Sequence, residues 1–335
     1  MAGIAAIDYE LPERVSRTRE WAADVPDWPV EKIIEKLGID ELHVAGANEC
    51  ASDLAVRAAE KLFTTGRVER KAIDYLIFLT QTPDYILPTT ACLLQDRLNL
   101  SNDTGALDIN LGCSGYVYGL GLAHGLIATG QATNVLLLTA DTYSKLVHPM
   151  DRTMRALLGD AATATLLTRE AGEMGPFVFG TDGKRAMHIA VPAGGMRQRV
   201  SDGVLRFDDK GNGRTDAHVH MDGRGMFSFS SEVVPLVVEK TLRRAGCTAD
   251  DIDLFFFHQS NKRVIEHVVE KMNLPPANVV LDMRDCGSTG SSSIPVTLSR
   301  AIRSGRLKHG MKILLVGYGV GLSWCACIST WGANK

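Results

Sequence analysis

Asn110-Leu111-Gly112-Cys113-Ser114-Gly115-Tyr116 is the stretch on which the fold and chemistry of this 335-residue chain turn. It follows an apolar-alternating run, Gly105 to Ile109, and precedes a small-residue run, Val117 to Ala128, with helical periodicity. A strand that ends in a tight glycine turn and feeds a helix places Cys113 at that helix's N-terminus. Unpaired N–H groups and the helix macrodipole favour an anion there. The sequence therefore predicts a thiol that ionises more easily than a free cysteine. A buried structural cysteine is the commoner fate of this residue type. Two glycines packed around this one, at a strand-to-helix turn, make Cys113 a candidate nucleophile.

The same turn occurs again downstream, as Gly287-Ser288-Thr289-Gly290. The repetition extends well beyond it. Ile73-Asp74 to Gln81 parallels Ile252-Asp253 to Gln259, and Leu98-Asn99-Leu100 parallels Met272-Asn273-Leu274. Ile127 to Gly130 parallels Ile302 to Gly305, and Val135 to Leu138 parallels Ile313 to Val316. All offsets fall between 174 and 179 residues, far longer than a solenoid period. Two copies of one unit follow. Nearly continuous apolar runs such as Ile73 to Thr80 and Ile252 to Phe257, alternating with helices, predict parallel α/β sheets buried on both faces. Predicted helices include Glu31–Leu37, ended by Gly38, then Leu54–Phe63, Thr89–Leu98 and Met226–Ala245.

The duplication has a chemical consequence. A ligand site is expected where equivalent strand ends meet. Cys113 and Ser288 occupy equivalent turns, and His258 closes the first strand of the second copy, so the three converge without being close in sequence. We divide the chain into an N-terminal half, 1–170, with the cysteine, and a C-terminal half, 223–335, with the histidine and serine. Residues 171–222 are glycine-rich and polar, with short strand-like pieces, and read as a connecting insertion.

Bulk composition excludes several classes. Apolar residues at 45% and charged residues at 22% are those of a globular protein with ample core. A net charge of −3 without runs of one sign gives no surface for nucleic acid or for an anionic membrane. The segment Met1 to Asp8 reads as a first strand, not a signal peptide, and no apolar run reaches membrane-spanning length. Seven cysteines, an odd number without zinc-type pairs, point to a reduced, cytoplasmic protein. No metal site is expected: His218 and His220, flanked by Asp216 and Asp222, lack the rest of a ligand set. Only fourteen residues follow Gly317-x-Gly319-x-Gly321, too few for a nucleotide-binding unit, so it reads as a backbone turn. A Cys-His hydrolase elbow requires glycine where Leu111 stands.

Further segments complete a pattern: Gly38-Ile39, Ser52-Asp53-Leu54-Ala55, Pro88, Asp108 to Tyr118 and Gly159-Asp160-Ala161. His258-Gln259-Ser260-Asn261, Gly287 to Pro295, and Gly317 to Gly321 with Trp324 follow. In this order and spacing, over nearly the whole chain, they resemble the beta-ketoacyl-acyl-carrier-protein synthase III family of thiolase-fold condensing enzymes. The resemblance implies two duplicated α/β halves layered αβαβα, a homodimer, no cofactor, and acyl-CoA and acyl carrier protein as partners. It implies that Cys113 takes an acyl group as a thioester, which the enolate of a decarboxylated malonyl thioester then attacks. Backbone N–H groups of Cys113 and Val320 would form one oxyanion hole, and His258 with an asparagine the other. Here the chain departs from the family, because Ser288 stands in place of that asparagine. Serine is shorter and offers one rotating O–H in place of an amide N–H₂. The outcome is a slower or water-assisted condensation, acyl transfer to an amine or hydroxyl, or a non-catalytic subunit; the intact frame with Cys113 and His258 argues against the last. By the same resemblance Arg152, Arg263 and Asn261 contact the substrate arms, with solvated surface charge the rival for each arginine. Lys32 falls where an adenine-stacking tryptophan is expected, with Trp28 one turn away. By that resemblance Leu87 would cross the dimer interface and limit the acyl pocket, and leucine in place of the family's common phenylalanine implies a longer or bulkier chain.

Overall fold

Ile77 and Leu79 bury their side chains on one side of their strand, and Leu76 and Phe78 bury theirs on the other. A strand with two dry faces needs a layer of helices on each, and the whole architecture follows from this. The computed structural model describes residues 2–22 and 29–332. Its first sheet contains β1 (Gly3–Glu10), β2 (Tyr75–Leu79), β3 (Gly105–Ile109), β4 (Asn134–Asp141) and β5 (Ala161–Thr168), in the order β1-β5-β4-β2-β3. The second contains β6 (Gly172–Thr181), β7 (Leu254–Phe257), β8 (Lys312–Gly319) and β9 (Ser323–Trp331), in the order β7-β8-β9-β6.

Helices α1 (Ala51–Thr64) and α2 (Thr90–Arg97) cover the outer face of the first sheet, where Leu54, Leu62 and Leu94 meet Leu76, Phe78 and Leu136. Helices α3 (Gly115–Ala128) and α6 (Ser293–Arg303) lie between the sheets, Tyr116, Leu120, Ile294 and Leu298 packing on Ile77, Leu137, Phe256 and Leu315. Helices α4 (Gly223–Ala245) and α5 (Lys262–Lys271) cover the far face of the second sheet through Phe229, Val233, Ile265 and Val268. Three cores separated by two sheets make the five layers αβαβα.

The duplication is visible in the sheet orders. Strands β2, β4, β5 and β1 correspond to β7, β8, β9 and β6, in the same sequence of neighbours. The counterpart of β3 survives only as a bridge between Phe255 and Val279. Gln259 holds that remnant in place: its Nε2 donates to the carbonyls of Phe257 (2.7 Å) and Val280 (3.2 Å), and its Oε1 accepts the N–H of Asp282 (2.8 Å).

Two expectations need correction. The sheets are mixed. Strands β2, β3 and β4 run parallel, as do β7 and β8, but β5, β1, β9 and β6 pair antiparallel. The proposed connection 171–222 also begins too early, since Gly172–Thr181 is a full edge strand of the second sheet, paired with β9. Glycines at 172, 175 and 180 and Pro176 disguise it in the sequence as a loop. Gly38 ends the Val30–Leu37 helix in the left-handed conformation, as predicted.

Candidate active site

Cys113 lies at the end of the loop joining β3 to α3, where the Gly115 N–H donates to the Gly112 carbonyl (2.7 Å) and closes the turn. Ser114 occupies the N-cap, yet its hydroxyl bonds to that of Ser323 (2.7 Å) and does not cap the helix. First-turn N–H groups are thus left without a side-chain cap, as an anion site requires. Opposite the thiol, β8 ends in Gly319 and turns through Val320 to Gly321 before β9 begins. The backbone N–H groups of Val320 and Cys113 both act on the Cys113 thiol and hold its pKa down. Val320 is fixed from behind by the Ser323 hydroxyl, which donates to its carbonyl (2.8 Å).

Gly319 makes this approach possible. Its φ of +152° suits glycine, and a Cβ there would lie 2.5 Å from Cys113 Cβ and 2.6 Å from its sulfur. We expect Gly319→Ala to displace the nucleophile. A misplacement on the ångström scale costs about a hundredfold in rate, to be measured as the rate of Cys113 alkylation or acylation in the folded variant.

The expected ease of ionisation is not found. Burial pushes the Cys113 thiol above its ordinary value, and the charge of Asp141 adds to this, against the two N–H groups that pull it down. The helix terminus was legible in the sequence; the protein packed around the sulfur and the carboxylate behind it were not.

His258 follows β7 directly, and its N–H donates to the Val316 carbonyl (2.8 Å), which continues the parallel ladder by one residue. The ring is buried. Its Nδ1 lies 2.7 Å from the Ser293 hydroxyl, which also accepts the Gln259 N–H (3.3 Å). A hydroxyl that accepts from Gln259 has its own proton to give to Nδ1, so the remaining ring proton is assigned to Nε2. Burial lowers the His258 pKa to about 3, so the ring is neutral and Nε2 is a hydrogen-bond donor at working pH. Tyr318 stands edge-on to it, ring centroids 5.8 Å apart. Tyr318 and Ser293 were not foreseen. The serine run 291–293 was the available signal, and its members bond in three different directions. Ser291 bonds Asp141, Ser292 bonds Thr139, and Ser293 orients the histidine.

The two equivalent turns do meet. A Cβ on Gly112 and a Cβ on Gly290 would each fall 2.7 Å from the same atom, the phenol oxygen of Tyr143. Ser288 is buried, with its backbone pinned to the first half: its N–H donates to Leu157 (2.9 Å), and its carbonyl accepts from Gly159 (3.2 Å). Its hydroxyl makes no hydrogen bond with any described residue.

The outlying residues are placed less decisively. Arg152, on a short helical turn, and Arg263, on the first turn of α5, make no ion pair among the described residues. Asn261 caps α5, its side chain accepting the Val264 N–H (3.0 Å), a structural duty that leaves only its amide N–H₂ for a ligand. Lys32 is exposed on its helix, and Trp28 lies outside the described residues. Leu87 is 80% exposed beside Tyr85 and Ile86, so within one chain it does not line the Cys113 site. Among the described residues no cluster of three metal-ligating side chains exists, and no helix is long and apolar enough to cross a membrane.

Known proteins share this arrangement. A profile of 3-oxoacyl-[acyl-carrier-protein] synthase III matches residues 107–183, and one of the same enzyme's C-terminal region matches residues 242–331. Beta-ketoacyl-[acyl-carrier-protein] synthase III of Syntrophomonas wolfei subsp. wolfei is 33% identical over 99% of this chain and 98% of its own. A 3-oxoacyl-(acyl-carrier-protein) synthase III crystal structure, 46% identical, superposes with a TM-score of 0.96 over 98% of this chain and 99% of its own. A 3-oxoacyl-(acyl-carrier protein) synthase from Burkholderia xenovorans LB400 is 35% identical, with a TM-score of 0.92 over 99% and 95%.

Proposed function

The chain belongs to the beta-ketoacyl-acyl-carrier-protein synthase III family, and from that premise we propose that it condenses an acyl group held on Cys113 with a malonyl thioester. The observation that carries this reading is the packing of the Gly319–Val320 turn against the Cys113 sulfur, with a neutral, Nε2-protonated His258 following β7. In the first half-reaction the sulfur attacks the thioester carbonyl of acyl-CoA or acyl carrier protein. The carbon–sulfur bond to the carrier breaks, and the carrier thiol leaves with the proton from Cys113. The N–H groups of Val320 and Cys113 are placed to receive the oxyanion of that step. In the second, malonyl thioester loses carbon dioxide and the electron pair left behind forms an enolate, with its oxygen received by His258 Nε2–H. The enolate carbon attacks the acyl carbonyl, a carbon–carbon bond forms, the acyl–sulfur bond breaks, and Cys113 leaves as a thiolate that regains its proton from solvent.

Arg152 and Arg263, cations without ion partners among the described residues, suit the phosphates of coenzyme A and of a carrier protein. The exposed Tyr85-Ile86-Leu87 loop is apolar surface that a second copy would cover, which supports a homodimer with Leu87 reaching the partner's acyl pocket. Seven free thiols accord with a cytoplasmic setting.

Ser288 supports a second reading. Its short, buried hydroxyl is a weaker partner for the enolate than the family's carboxamide, which favours transfer of the acyl group to an amine or hydroxyl without decarboxylation. One experiment separates the two. With acyl-Cys113 preloaded, carbon dioxide release from malonyl-carrier protein is followed alongside the ketone product in wild type and Ser288→Asn. Since one oxyanion donor is worth about a hundred- to a thousandfold, condensation predicts measurable wild-type release and at least a tenfold rise in the variant. Acylation without release in either protein would establish plain acyl transfer.

A further inference from the structure

Behind the nucleophile turn lies a charged group to which this scheme gives no role. Asp141 ends β4 fully buried and has no ion pair among the described residues. One carboxylate oxygen accepts the Gln81 N–H (2.7 Å) and, at 3.4 Å, the Thr80 hydroxyl, both just beyond β2. The other accepts the Ser291 hydroxyl (3.1 Å), which belongs to the opposite half of the molecule. Tyr143 donates its phenol proton to Gln81 Oε1 (2.8 Å), and Gly112 and Gly290 both press on that phenol. The carboxylate therefore ties the end of β2 to the segment that follows the Ser288 turn, and the Gln81 side chain with Tyr143 carries the link on to the Cys113 turn.

We propose that Asp141 is a positioning residue for condensation, clamping the Ser288 turn of the second half against the Cys113 turn of the first. The inference rests on the proposed condensation, since only that step needs both turns at once; acylation needs Cys113 and Val320 alone. A solitary buried carboxylate is costly to stability, and this one also opposes ionisation of the thiol. Its titratable neighbours are Tyr143, Asp160 and Cys113, none of which offers it a compensating positive charge. Burial raises its own pKa to about 7. What recommends a carboxylate is that it accepts at both ends, holding donors from both halves in one geometry.

The clamp and the charge can be tested apart. Ser291→Ala cuts only the bond that Asp141 makes to the second half, and Asp141→Ala removes the whole clamp. Asp141→Asn keeps an acceptor for Gln81 and presents an amide N–H₂ to Ser291, whose hydroxyl can accept it. Condensation and Cys113 acylation are measured separately, by ketone product and by intact mass, with the pH profile of Cys113 alkylation by iodoacetamide as a third readout. The clamp predicts that both alanine variants lose about ten- to a hundredfold in condensation relative to acylation. It also predicts that Asp141→Asn stays near wild type in that ratio while its alkylation profile moves to lower pH. Wild-type ratios in both alanine variants, or a loss in Asp141→Asn equal to that of alanine, would overturn the proposal. Should Asp141→Ala fail to fold, Ser291→Ala decides alone. If the wild type neither acylates nor condenses, the proposed function fails first; an unmoved alkylation profile in Asp141→Asn then counts against Asp141 as well.

Discussion

Cys113→Ala should abolish the acyl adduct and all ketone formation, leaving a folded protein that still binds acyl-CoA. Gly319 lets the end of β8 pack directly against the Cys113 side chain, and the Val320 N–H acts on the thiol from the same turn. Nucleophile removal leaves only what binding and oxyanion donors supply, so turnover is expected to fall to background. Intact-mass spectrometry after incubation with acyl-CoA reads the result: one acyl addition in wild type, none in the variant. An adduct that persists in Cys113→Ala would move the nucleophile elsewhere, and Cys92, exposed on α2, would be the first thiol to check. The wild-type thiol carries a second expectation. Its pKa is raised above the ordinary 9.0, so its thiolate fraction is small at neutral pH and still growing at pH 9. Alkylation should keep accelerating past pH 9. A plateau near pH 7 would mean that the helix terminus outweighs burial after all.

That contest shows what a sequence can and cannot convey here. The position of Cys113 at a helix start is local, written in Gly112, Gly115 and the apolar runs on either side. The pairing of its turn with Gly287–Gly290 was legible because the repeat preserves spacing, and the sheet orders bear this out strand by strand. The ionisation of the thiol depends instead on how much water is excluded and on Asp141, twenty-eight residues away and brought close only by the sheet. The same holds for Ser293, whose duty to His258 spans thirty-five residues. Of the edge strand Gly172–Thr181 only the piece Phe177–Phe179 is strand-like in the sequence. Its pairing partner lies about 150 residues downstream, and that tertiary pairing overrides the local propensity of its glycines.

His258→Ala should separate the two half-reactions. Acylation of Cys113 draws on backbone N–H groups that the substitution does not touch, whereas the enolate loses its Nε2–H donor. Removing one such donor typically costs about a hundred- to a thousandfold. Ketone formation is therefore expected to fall by that factor while the acyl adduct still forms, and His258→Gln, which keeps a side-chain N–H donor, should recover part of the loss. An equal fall in acylation would instead make His258 the base that takes the thiol proton. That outcome requires the opposite tautomer, with Ser293 accepting from Nδ1–H. Acid stability supplies an independent check. The His258 pKa lies at about 3 in the folded chain and near 6.5 when free, so between these values the unfolded state binds the extra proton. The contribution of the neutral, buried ring to stability is present above pH 6.5 and is lost as pH falls toward about 3. Denaturation by urea at pH 7.5 and pH 5 should thus show a smaller pH-dependent loss in His258→Ala than in wild type, whatever the cost of the cavity at both pH values. Equal losses would place the ring in contact with water and remove the basis for a neutral Nε2–H donor.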